Sequence, residues 1–87
     1  MMAPKSPEQV LVEAVAQRQG PRESDVAFAR RLCITDVTWA QTRREQRSLR
    51  WVFLVGVVGE FPDLWHLVWD VLRHQAALRR SAWARRP

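Results

Sequence analysis

Arg43, Arg44, Arg47 and Arg50 set four guanidinium groups against one nearby acid, Glu45. A local excess of cations of this kind attracts an anionic polymer, above all the phosphates of a nucleic acid. A second constellation, His66, Asp70 and His74, recurs at i, i+4 and i+8 and so shares one helical face. That spacing suits metal ligands. The chain has no third histidine, however, and no second helix with an obvious ligand, so a solvated polar face is expected and no metal. Glu60, Asp63 and Asp70 read as caps and surface groups rather than acid–base catalysts. Gly20, Gly56 and Gly59 stand apart, leaving no glycine loop to cradle a phosphate, and no nucleophile is placed beside a base. The expectation is a chain that is not an enzyme, holds no cofactor and takes no small-molecule substrate.

The elements that must position these groups are read from periodicity and caps. Residues 1–6, punctuated by Pro4, are expected to be a flexible start. Ser6 caps a helix with Pro7 at its first position, running to about Gln19 before Gly20-Pro21 stops it. Val10, Leu11, Ala14 and Val15 form its apolar stripe, while Glu8, Glu13, Gln17 and Arg18 are expected to face water. Ser24 or Glu23 opens a second helix ending near Leu32, in which Phe28, Ala29 and Leu32 share a stripe with Arg30 and Arg31 outside it. After a break at Cys33-Ile34, Thr35 opens a third helix that ends near Arg44 and turns Trp39 inward. Ser48 caps a fourth, Leu49 to Glu60, apolar nearly all round and therefore expected to be central; Gly56 and Gly59 are expected to admit close neighbours. Phe61-Pro62-Asp63 breaks the chain before a fifth helix from Leu64 to at least His74. Its core set is Leu64, Leu67, Val68, Val71 and Leu72. Trp65 and Trp69, at i, i+4 on an adjacent flank, are read as a self-association surface.

Eighty-seven residues make one small domain, and 47% hydrophobic content with five tryptophans is far from a disordered composition. One cysteine excludes an internal disulfide and suits a reducing cytoplasm; Cys33 itself reads as buried core or turn filling. Residues 1–72 hold nine basic and nine acidic side chains, so the net charge of +5 lies wholly in residues 73–87, where no acid stands. Residues 75–87 are read as a basic C-terminal extension to a domain over 7–74. No secretory signal is seen at the amino terminus. The apolar stretch from Trp51 to Leu72 is interrupted by Glu60, Pro62, Asp63, His66 and Asp70, so it is core, not a membrane span, which takes about 20 apolar residues.

Phe28 to Arg47, FARRLCITDVTWAQTRREQR, resembles the helix-turn-helix of the lambda repressor and Cro family of bacterial and phage regulators. Phe28-Ala29, Leu32, Ile34, Thr35 and Trp39 match the family's apolar-alanine pair, leucine, post-turn aliphatic, helix-opening polar residue and core residue. Cys33 and Glu45 stand where the family usually has glycine, and Thr42 where an apolar residue is commoner. The resemblance implies an all-α, compact five-helix domain that binds double-stranded DNA as a transcriptional regulator, acting as a homodimer. On that pattern Thr35, Asp36, Val37, Thr38 and Gln41 meet base edges. Gln41 pairs with adenine, Val37 or Thr38 meets a thymine methyl, and Asp36 either accepts from cytosine, is neutralised by Arg43 or another cation, or points away. Arg43, Arg44, Arg47 and the fourth helix's start at Ser48-Leu49 hold phosphates. The alternative is a non-enzymatic protein-interaction module, antitoxin-like or an inhibitor, on the same scaffold.

Overall fold

The computed structural model describes residues 4–46 and 49–85. Among them lie five α-helices and no strand: α1 (Pro7–Ala16), α2 (Asp25–Arg31), α3 (Asp36–Arg44), α4 (Trp51–Glu60) and α5 (Trp65–Ala84), with a 3-10 turn at Pro62–Leu64 before the last. Capping explains the starts of the first three. Ser6 accepts from the Gln9 amide while the Gln9 side chain accepts from the Ser6 amide, a reciprocal box that Pro7 completes by presetting the first helical φ. Ser24 caps α2 through the Ala27 amide, and Thr35 caps α3 through the Thr38 amide. Lys5 and Ser6, within the stretch expected to be flexible, are tied down by Glu13 and by that box; residues 1–3 lie outside the described residues.

One core joins all five helices, built from Leu11, Val15, Phe28, Ala29, Leu32, Trp39, Phe53, Leu54, Val57, Phe61, Leu64, Val68 and Val71. Its centre is aromatic. Trp39 lies tilted on Phe28 with ring centroids 5.2 Å apart and stacks nearly parallel on Phe53 at 6.1 Å. Gly56 lets α4 cross the end of α2: a Cβ built there would fall 2.1 Å from the Leu32 carbonyl oxygen. Gly59 has open space beside it and plays no such part.

Several expectations are corrected. α1 ends at Ala16 rather than Gln19, because Arg18 and Gln19 donate to carbonyls three residues back and leave the helical path. Its buried stripe is Glu8, Leu11, Val12 and Val15, with Val10 turned outward. α4 begins at Trp51, two residues late, and is not central: Trp51, Val52, Val55 and Val58 are exposed. Cys33 is exposed rather than buried. α5 continues unbroken through the boundary expected at residue 74, and residues 76–85 project in solvent. No described helix is long and apolar enough to cross a membrane.

Candidate nucleic-acid interface

The junction of α2 and α3 is closed by backbone geometry. Leu32 ends α2, and Cys33 follows at φ 58°, a left-handed conformation. The Cys33 amide donates to the Arg30 carbonyl and the Ile34 amide to the Ala29 carbonyl, both at 3.0 Å. This is the paired hydrogen-bond pattern by which a helix terminates through one left-handed residue, a place glycine fills at no steric cost. Thr35 then returns to extended backbone and starts α3.

α3 buries one side and presents the other. Trp39 and Thr42 are inside; Thr42, although polar, donates to the Thr38 carbonyl at 2.7 Å and so brings no unsatisfied hydroxyl into the core. Val37, Gln41 and Arg44 recur at i, i+4 and i+7 on the opposite side. Val37 is 60% exposed, Arg44 is exposed and Gln41 half-buried. Of the other expected base-facing residues, Asp36 is exposed in the first turn, where its charge complements the helix dipole. Thr35 and Thr38 lie on a flank, the Thr35 hydroxyl donating to that of Thr38 at 2.9 Å.

A polar circuit fixes the helix in this attitude. The Trp39 indole N–H donates to Gln19 Oε1 at 3.3 Å, and the Gln19 amide donates to Asp25 Oδ1 at 3.0 Å and to the Glu23 carbonyl. Asp25 accepts from Arg43 at 2.7 Å, and the Arg43 guanidinium lies over the Trp39 ring. The hydrogen bond from Gln19, together with Arg43, holds the Asp25 carboxyl below its ordinary value despite partial burial. Arg43 thus neutralises Asp25 on α2 and not Asp36. The sequence gives no local signal for the roles of Gln19 and Asp25.

The expected phosphate contacts divide accordingly. Arg44 is exposed, Arg43 is shared with Asp25, and Arg47 and Ser48 lie outside the described residues. Arg50 is the residue before α4, and among the described residues no side chain caps that helix. The polar face expected of His66, Asp70 and His74 is broken: His66 and Asp70 are exposed, but His74 turns toward α1 and meets the carboxylate of Glu8, itself only 1% exposed. Trp65 and Trp69 are 57% and 49% exposed, with ring centroids 6.3 Å apart. They form one wall of an apolar groove whose other wall is Trp51, Leu54, Val55 and Val58 of α4.

Compared with known proteins, the chain matches no family model, no curated protein and no solved structure.

Proposed function

We propose that α2, its left-handed turn and α3 form a helix-turn-helix, and that the chain is a sequence-specific double-stranded DNA-binding regulator resembling the repressor and Cro type. The observation that carries this reading is the two-sidedness of α3. Trp39 and Thr42 anchor one side, and Val37, Gln41 and Arg44 stand together on the other. Nine residues span about 14 Å in length, and a helix about 10–12 Å across with its side chains enters a major groove about 12 Å wide. There Gln41 pairs with adenine, Val37 meets a thymine methyl, and Thr35, Asp36 and Thr38 flank them at the helix start. Arg44 and Arg43 hold phosphates, and so does Arg47, three residues further along the sequence. One such helix reads few base pairs, so the chain acts as a twofold dimer through Trp65 and Trp69.

Salt-titrated binding to a selected DNA site tests the reading. Arg44→Ala should weaken binding to all sequences and lower the slope of log affinity on log salt by about one. Gln41→Ala should cost roughly 1–3 kcal/mol at one base position and leave nonspecific affinity nearly intact. An unaltered slope in Arg44→Ala, with the same selected site for Gln41→Ala, removes DNA as the ligand of this face.

A further inference from the structure

α5 carries a largely apolar stripe that outruns the body of the protein. Trp65, Trp69, Leu72, Ala76, Arg79 and Trp83 follow one another at alternating steps of four and three, the spacing of a seam that faces a second helix. The first three line the groove against α4. The last three lie on the projecting end, where Trp83 is 70% exposed.

We infer that two copies of the chain pair through antiparallel α5 helices, each laying its projecting end into the other's groove between α4 and α5. This deepens the dimer reading above and rests on it. The seam is self-complementary about a twofold axis level with His74. Trp65 and Trp83 stand at equal distances from that level, as do Trp69 and Arg79, and Leu72 and Ala76. The axis therefore sets Trp65 against Trp83 of the second copy and Trp69 against its Arg79, a cation over an aromatic face. Leu72 meets the small Ala76, which lets the helices approach.

Charge selects the antiparallel sense. Asp70 lies in the first half of α5, and Arg79, Arg80 and Arg85 near its end, while Glu60 and Asp63 before it are already paired with Arg31 and Arg18. Antiparallel pairing brings opposite ends together, whereas parallel pairing stacks the arginines. The two copies of Arg73 approach at the exposed edge, where solvent and salt screen them. Trp51, Trp65, Trp69 and Trp83 together leave roughly 500 Å² exposed per copy, more than half of the about 800 Å² per partner of a standard interface.

Sedimentation velocity of the full chain across the micromolar range, with far-ultraviolet dichroism as a control of folding, decides it. The parent should dimerise, and Trp83→Glu should retain its helix content while its dimer dissociation constant rises at least about tenfold. Trp83 lies outside the core, so its replacement leaves the fold intact. A dimeric parent that Trp65→Glu/Trp69→Glu dissociates but Trp83→Glu does not overturns the exchange of helix ends and leaves the tryptophan contact standing. A monomeric parent overturns both.

Discussion

Cys33 sits at φ 58° in the turn between α2 and α3, with its amide and that of Ile34 closing the end of α2. A non-glycine residue in this conformation costs about 1–2 kcal/mol, because its Cβ crowds the neighbouring carbonyl. Glycine removes that strain and gives back part of it as unfolded-chain entropy. Cys33→Gly is therefore expected to stabilise the protein by roughly 0.5–1 kcal/mol, seen as a higher urea midpoint at unchanged slope. A lower midpoint would show that the thiol makes a contact outweighing the strain. The position of this turn was legible in the sequence, since Cys33 falls between a leucine-ended stripe and a threonine cap. The exposure of its side chain was not. A free cysteine is most often buried, and only the left-handed backbone turns this one outward.

The helices whose starts depend on neighbouring residues were read most closely, because a cap is a local event: Ser6, Ser24 and Thr35 each bind an amide three residues on. Helix ends and faces depend on distant partners and were read less well. Gln19 leaves the line of α1 and donates to Glu23 and Asp25, and it accepts from Trp39, 20 residues on and a neighbour only in the fold. α4 looks central in sequence because valines on every side look alike there. In the fold Phe53, Leu54 and Val57 are covered while Val52, Val55 and Val58 are not. The glycines of α4 separate in the same way. Gly56→Ala drives a methyl group into the Leu32 carbonyl, backbone that cannot swing aside. It is expected to destabilise by about 1–3 kcal/mol or more, and, since Leu32 abuts the turn, to displace α3. Gly59→Ala meets open space and is expected to gain roughly 0.5–1 kcal/mol from helix propensity. Thermal melts of the two variants check the pair, and equal shifts of either sign would dismiss the close crossing of α2 and α4.

At the scale of the molecule, one buried acid adds to the core in holding the first helix to the last. Glu8 accepts from Gln75 at 2.6 Å and meets His74 Nδ1 at 2.8 Å and 2.9 Å through its two oxygens. These partners stand 66 and 67 residues away, so a glutamate just inside a helix start reads in sequence as facing water, and the sequence holds no signal to the contrary. Burial pushes the Glu8 carboxyl up, but the hydrogen bonds of His74 and Gln75, with backbone help, outweigh burial and leave it below its ordinary value of 4.5. The unfolded chain therefore takes up this proton first as pH falls. The stabilisation Glu8 provides is complete above the ordinary carboxylate range and is lost as pH drops through the lower folded value. Glu8→Gln keeps the shape and removes the titration. It is expected to cost on the order of 1–3 kcal/mol at pH 7, since a charged hydrogen-bonding group is replaced at a buried site. It should also lose less stability than the parent between pH 7 and about pH 3. Urea midpoints of both proteins over that range measure the difference. Parallel loss in the two would move the acid sensitivity to the surface pairs of Asp25 with Arg43 and Asp63 with Arg18, whose carboxyls are also held below their ordinary values.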